Sequence, residues 1–456
     1  MRTLLIKIPQ ILQTLLLLLT TQQLCAQTID DYIRQGIDSN QVLQQKTIAL
    51  DKAMLSLKIA KGMFAPTVGL IGNYTTGDGG RSIALPVGDL LNPVYATLNQ
   101  LTASDQFPQI ENVNQNFFPK NFYDVRVRTS MPIVNSDLVY NRKIQQQQQL
   151  LQEFEITIYK RELIKNIKTA YYNYLSALEA QGIYQSAMNR AMESKRVNES
   201  LLTNGKGLPA YVLRAESEIE NIKAQATEAE QQVKNAKLYF NFLLNRASDA
   251  PINADFNAIE EVNLTINTFQ SENVSREREE LLQLQSAVEL NTTVLNMKQA
   301  FWTPKLSGFV DLGAQAENLK YNNDANYYLI GVQLDMPLFA GFTNRHRIQQ
   351  AKLDVKNAEL SRNLVANQLK MSTQFARNSV STAYQNYVSA QKQYDAALSY
   401  QKLIDKGYKE GVSTFIESID ARNQLTTTQL LLNINRYKVL VAAANLERET
   451  AAFSLK

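Results

Sequence analysis

One cysteine and one histidine in 456 residues leave little for thiol, metal or general-base chemistry to use. The histidine, His346 in "GFTNRHRIQQ", has no second histidine or cysteine near it in the chain. With Arg345 and Arg347 it reads as a basic anchor at a membrane interface, so no enzyme, cofactor or metal site is expected. Cys25 falls at the end of an N-terminal segment in which Arg2 and Lys7 precede an apolar core, "ILQTLLLLLT". That pattern predicts a secretory signal peptide over 1–26, cleaved after Ala26. Lipidation of Cys25 would want a small residue before it, which Leu24 is not, so the mature chain is expected to start at Gln27 without any thiol. Such an exported protein has no disulfide framework and depends on packing or assembly. Cleavage takes the formal charge from +4 to +2, too near neutral for a nucleic-acid partner. After Ala26 there is no run of 18 or more apolar residues, so no transmembrane helix is expected. Any membrane contact must be made by strands.

Proline is absent from 137–203 and from 342–408, and glycine occurs there only at Gly182 and Gly407. Apolar residues recur at alternating steps of three and four, as in Ile164, Ile167, Tyr171, Tyr174 and Leu178. A helix of that length spans roughly 100 Å, more than a globular domain's diameter. Each is followed by a glycine turn, "GKGLPAY" and "EGVSTFI", and by a returning helix, Leu208 to Arg246 and Val412 to Phe453. Two antiparallel hairpins result. Their faces are rich in Gln, Asn, Ser and Ala; "IQQQQQLLQ" reads as a solvated helix face.

Upstream of each hairpin lie two strand-like runs. "KGMFAPTVGLIGNY" resembles "KQAFWTPKLSGFVDLG", and "FYDVRVRTSMPIVN" and "YYLIGVQLDMPLFAG" both end near Met-Pro. From Pro132 to Gly207 is 75 positions and from Pro337 to Gly411 is 74, which points to an internal duplication. The runs alternate: Tyr123, Val125, Val127 and Met131 oppose Asp124, Arg126, Arg128 and Ser130. Their length, about ten residues, suits tilted membrane strands. Phe64, Phe301, Trp302, Phe339 and Phe342 sit at strand ends as a candidate interfacial belt. Four strands cannot close a barrel, and open edges cannot sit in lipid, so a barrel would have to be shared between subunits. The segment 75–121, rich in Gly, Pro and Asn, is expected as a long extracellular loop, and 247–275 as an irregular equatorial linker. The remaining expected divisions are an N-terminal helical segment (27–64), β-hairpin 1 (65–132) and helical hairpin 1 (133–246, tip near 204–210). They continue with a helix (276–302), β-hairpin 2 (303–337) and helical hairpin 2 (338–456, tip near 407–414).

In this order of elements, its duplication, its Met-Pro strand ends and its glycine turns, the chain resembles the TolC-like outer membrane efflux proteins. "ALPVGDLLNPVYATLNQLTASDQFPQIENVN" looks like an insertion of the family's Bacteroidetes-type members. The resemblance implies a mainly α fold with membrane β: a trimer whose twelve-stranded β-barrel, four strands per protomer, continues into a long antiparallel α-helical barrel. It implies a passive exit duct in the outer membrane of a Gram-negative bacterium. The implied partners are a periplasmic membrane-fusion adaptor, an inner-membrane pump of RND or ABC type, and outer membrane lipid.

The family's tips, which close the tunnel and contact the adaptor, correspond to Gly207, Leu208 and Ala210 and to Gly411, Val412, Ser413 and Thr414. Two acids that ring the family's narrowest point match Glu417 and Asp420, and a latch tyrosine matches Tyr408. Two departures stand out: the latch arginine is Ser413 here, and the acid expected six after the first glycine is Leu213. A charge-linked latch is therefore not expected. Glu417 and Asp420, three apart, share a helix face; threefold symmetry would stack them as carboxylate rings favouring cations. Read as one helix alone, they are solvated acids in its first turn, stabilised by its dipole. The alternative to a duct is a periplasmic coiled-coil scaffold or adaptor without its own pore, which leaves the alternating strands unaccounted for.

Overall fold

A computed structural model describes residues 28–271 and 278–453. The expected signal peptide, Cys25 and residues 272–277, which close the expected linker and open the next helix, lie outside the described residues. The chain runs α1 (Ile29–Ser39), α2 (Gln41–Gly62), β1 (Thr67–Thr75), β2 (Ser82–Leu85), α3 (Val87–Thr102), β3 (Val113–Asn116) and β4 (Phe122–Val134). It continues with α4 (Ser136–Thr203), α5 (Pro209–Leu243), α6 (Ala258–Ser271) and α7 (Glu279–Gln299). Last come β5 (Lys305–Ala316), β6 (Asn326–Asp335), α8 (Thr343–Lys409) and α9 (Phe415–Thr450). Two compact units divide it: one of Met1–Ala53, Gln149–Val288 and Lys356–Lys456, the other of Met54–Gln148 and Glu289–Val355.

The first unit is helical. A capping box opens α1, in which Asp31 and Thr28 satisfy each other's backbone N–H groups. Its core joins Tyr32 and Ile33 of α1 to Ile167 and Tyr171 of α4, Phe240 of α5, Val262 of α6, Val380 of α8 and Leu440 of α9. Tyr32 meets Phe240 edge-on, with ring centroids 5.0 Å apart. At Gly36 a Cβ would lie 2.4 Å from Ile167 Cδ1, so glycine lets α1 approach α4 closely. Asn40 separates α1 from α2; its Oδ1 accepts from Leu43 N and from the Tyr159 hydroxyl, both at 3.1 Å. Farther along, Ala187, Met188 and Ala191 of α4 pack on Ile222 of α5, where small side chains allow close antiparallel contact. The segment 247–275 is not wholly irregular, as the sequence suggested: it contains α6, whose Val262 is fully buried. Ile259, Val262 and Ile266 already carry the helical spacing of three and four.

The second unit holds an antiparallel sheet in the order β1-β4-β5-β6. Registers such as Leu70↔Val127, Val127↔Leu312 and Leu312↔Tyr328 put Val68, Leu70, Val125, Val127, Val310, Leu312, Tyr328 and Ile330 on one face. The other face carries Asp124, Arg126, Arg128, Asp311 and Tyr327. Thr67, Val134, Lys305 and Asp335 lie at one end of the sheet, so Phe64, Phe301, Trp302, Phe339 and Phe342 flank that same end. Phe301 packs edge-on against Trp302 at 5.5 Å, and Phe339 against Phe342 at 5.4 Å. The Met-Pro pairs are not equivalent: β4 runs through Pro132 with a bulge to Val134, whereas β6 stops at Asp335. Proline cannot donate to a ladder, and the bulge relieves this in β4. The connection 75–121, expected as a loop, is largely ordered into α3 and a β2–β3 pair.

Among the described residues, no helix is long and apolar enough to cross a membrane, and no cluster of three His, Cys, Asp or Glu could hold a metal ion.

Candidate functional site

The two helical hairpins turn by the same device. After α4, Gly205 takes φ +70°, and Lys206 N donates to Leu201 O at 2.8 Å. After α8, Gly411 takes φ +78°, and Val412 N donates to Gly407 O at 2.8 Å. Both are left-handed C-terminal stops, a conformation that favours glycine. The counterpart of Gly411 is therefore Gly205, not Gly207 as the sequence match had it. Gly207 has a separate reason to be glycine: a Cβ there would sit 2.7 Å from Leu202 N.

The helices that leave the turns start differently. Leu208 precedes α5 without a side-chain cap, and Pro209 fills the first position, where no N–H partner is needed. Thr414 caps α9 in a full capping box. Glu417 accepts from Thr414 N at 2.7 Å and from Thr414 Oγ1 at 3.0 Å. These bonds, the backbone one first, hold the Glu417 carboxyl below its ordinary range. What the cap adds to stability is present above the ordinary glutamate pKa and lost as pH falls through the lowered one. Asp420 follows on the same exposed face. The structure thus gives Glu417 a local task that the Thr-x-x-Glu spacing signals in the sequence.

Phe415, 1% exposed, joins the two turns. Its ring lies 4.9 Å from Tyr211 and 6.0 Å from Tyr408, over Ala215 and Ile419. The Tyr408 hydroxyl donates to Asn198 Oδ1 at 2.9 Å, and buried Asn198 donates to Ser194 O at 2.8 Å. Burial and then Tyr211 push the phenol pKa up, keeping it an O–H donor at neutral pH. Sequence reasoning left Tyr408 without charged partners; in the structure its hydroxyl bonds the Asn198 side-chain amide. Asn198 was not foreseen, because 210 positions separate it from Tyr408. Nearby, Ser418 Oγ donates to Asp405 Oδ1 at 3.3 Å, and Gln401 also bonds Asp405. Arg422 feels opposing influences: burial disfavours its charge, while Asp405 and then Glu218 support it.

Tyr408→Phe is expected to leave Asn198 Oδ1 buried without its donor, at about 1–3 kcal/mol. Thermal melting of the detergent-extracted protein measures this; an unchanged midpoint would show the bond to be dispensable.

Beyond the turns, Leu208, Val412 and Ile416 are exposed, Val412 to 83%. Leu213, from which an acid was expected, is exposed as well. Gly207 and Ser413 are half-buried, while Ala210, Gly411, Thr414, Glu417 and Asp420 are exposed. The tip therefore offers solvent an apolar rim beside two acids. Elsewhere in this unit a cavity of about 340 Å³ is lined by Lys168, Tyr172, Glu261, Arg377 and Leu440. Burial raises the Glu261 pKa there, with Lys168 opposing.

Residues 271–451 match the family described as outer membrane efflux protein. No curated protein gives a significant match. Among solved structures, the Vibrio cholerae outer membrane protein VceC aligns over 92% of this chain and 95% of its own, at 13% identity and TM-score 0.72. The Neisseria gonorrhoeae MtrE outer membrane channel, in its open state, aligns over 92% and 88%, at 16% identity and TM-score 0.72. CusC, described as forming a transmembrane channel, aligns over 92% and 91%, at 13% identity and TM-score 0.74. Residues 271–451 thus resemble the outer membrane efflux protein family, and over nearly its whole length the chain has the fold of these outer membrane channels.

Proposed function

We propose that three copies of this chain form a passive exit duct in the outer membrane of a Gram-negative bacterium. Each contributes four strands to one barrel, and the helical hairpins continue it into the periplasm. The observation that carries this reading is the sheet itself. One face is apolar and exposed across all four strands, the other is charged, and the edge strands β1 and β6 have no neighbour among the described residues. An apolar sheet face belongs in lipid only if its edges are paired, and copies of the same chain supply the pairs. A pore-less scaffold would have no use for such a sheet. The five strand-end aromatics then mark one membrane interface.

At the tips, the exposed rim of Leu208, Val412 and Ile416 with Gly207, Ala210, Ser413 and Thr414 receives a periplasmic adaptor linked to an RND or ABC pump. The Tyr408–Asn198 bond takes the place of a charged latch. Glu417 and Asp420, repeated three times, form a constriction that favours cations.

The duct reading is tested by heat-labile trimers in the outer-membrane fraction and by ion channels in planar bilayers; a monomer freely soluble after osmotic shock overturns it. For the constriction, glutamine at 417 keeps the capping geometry while removing the charge. Glu417→Gln with Asp420→Asn is expected to lower the cation-to-anion permeability ratio several-fold with little loss of thermal stability. Glu417→Ala with Asp420→Ala should lose selectivity and weaken the start of α9 together. Equal selectivity in all three proteins would remove these acids from the constriction.

A further inference from the structure

The connection from β1 to β4 carries a helix with one face satisfied and one bare. The satisfied face of α3 is covered by the return segment 103–112. Asn92 Nδ2 donates to Ile110 O, and Ile110 N donates back to Asn92 Oδ1, both at 2.9 Å. Farther along the helix, Asn99 Nδ2 donates to Phe107 O at 2.8 Å and Phe107 N donates to Asn99 Oδ1 at 3.0 Å. Tyr95 stacks against Phe107 at 5.7 Å, and a Cβ at buried Gly88 would fall 2.4 Å from Ile110 O. These paired contacts fix the helix against its own return segment.

The opposite face carries Val87, Leu90, Val94, Thr97 and Leu101, at intervals of three, four, three and four. That is the spacing of a coiled-coil seam, in which each side chain fits between four of a facing helix. The seam lies open to solvent in the single chain: Leu90 is 69% exposed, Val94 52% and Leu101 77%.

We propose that α3 is an assembly helix whose seam docks on the same helix of the other copies of this chain. Two observations favour this occupant over a lipid surface. Between Arg81 and Lys120 there is no lysine or arginine, while Asp89, Asp105 and Glu111 are present, so phosphate-bearing lipid would repel the segment. The connection also leaves the sheet from β1, the edge strand that needs the neighbouring copy's edge. Rotational symmetry sets identical helices around one axis, and a repeating seam suits that contact. The inference rests on the trimeric reading above.

The test is Val94→Cys, expressed full-length in the outer membrane and oxidised with copper phenanthroline. Disulfide-linked dimers are expected on denaturing, non-reducing gels, with none from Gln100→Cys, an exposed position off the seam, or from the unsubstituted chain. Intact heat-labile trimers of Val94→Cys whose introduced thiol stays uncrosslinked and is fully alkylated by an impermeant maleimide would overturn the docking alone. Labelling of that thiol by a photoactivatable lipid in place of crosslinking would overturn it in favour of the membrane. Absence of trimers from the unsubstituted protein would overturn the assembly reading on which it stands.

Discussion

Replacing Arg278 by methionine is expected to cost the helical unit about 3–5 kcal/mol, the usual effect of breaking a buried ion pair on one side. Arg278 is 4% exposed at the start of α7. Its guanidinium donates to both Glu280 oxygens, at 3.0 and 2.7 Å, and to the Glu449 carbonyl and Oε2, each at 2.8 Å. Glu449 also accepts from Ser372 Oγ at 2.6 Å, so one guanidinium ties α7, α8 and α9 together. Arg448, 3.0 Å from Glu280 and 3.1 Å from Glu162, supplies the second cation and keeps the loss from exceeding that range. Lysine at 278 would restore the charge but not the fork, and should recover only part of the stability.

The same cluster sets a pH dependence. Burial opposes ionisation of Glu280 and Glu449. Hydrogen bonds, from Arg278 to both and from Ser372 to Glu449, with the arginine charges more than offset it, so both pKa values lie below the ordinary one. Their contribution is present above about pH 4.3, the unfolded glutamate value, and is lost as pH falls through the lowered folded values. Acid melts of Arg278→Met should be shallower than those of the parent below that pH. Parallel melts, or an unchanged midpoint at neutral pH, would show the cluster to be idle.

The second large effect is expected in the sheet. Asp311, 1% exposed in β5, accepts from Arg128 Nε at 2.7 Å and Nη2 at 2.6 Å, with Arg126 at 3.7 Å. Arg126 also bonds Asp124, which accepts from the Tyr327 hydroxyl at 2.8 Å. A polar ladder therefore crosses β4, β5 and β6 on the face opposite the apolar one. Asp311→Ala leaves Arg128 unpaired and should lower the melting temperature of the heat-labile trimer by several degrees. Because Arg128 retains 36% exposure and water can reach it, the drop should be smaller than breaking a fully buried pair would cause. Adding Arg128→Leu removes the stranded charge and should restore much of the loss. In the proposed trimer, Asp311→Ala would also add three net positive charges to the lumen wall, which should shift single-channel selectivity toward anions. Unchanged melting and selectivity would place Asp311 off the lumen.

Periodicity that runs for many turns made most of this architecture legible in the sequence. The long helices expected over 137–203 and 342–408 are Ser136–Thr203 and Thr343–Lys409. Strand faces were legible too, because alternation is a local property of adjacent residues. What escaped was helix hidden by composition. Val87, Leu90, Val94 and Leu101 mark α3, yet the Gly, Pro and Asn around them suggested a loop. Partnerships across the chain escaped as well: no local pattern joins Tyr408 to Asn198 or Arg278 to Glu449. At the tips, the sequence placed the first turn near 204–210 but matched Gly411 to Gly207 instead of Gly205, because the left-handed conformation that marks Gly205 is not visible in the letters.

The sheet's central pairing has a consequence for how the chain matures. Arg128 and Asp311, joined across β4 and β5, are 183 positions apart. β5 and β6, by contrast, are joined by a connection of nine residues, 317–325, short enough to close quickly. Pairing across so long an intervening segment is slow from a disordered chain, because the closure entropy precedes any reward from contacts. Once α4 and α5 have zipped from their shared turn, most of that segment is stiff and no longer has to be ordered. Helix pairing in the first unit is thus the natural early event, and the sheet a late one. In the proposed trimer, this order would let a copy keep its apolar strands unassembled until a membrane and two further copies are at hand.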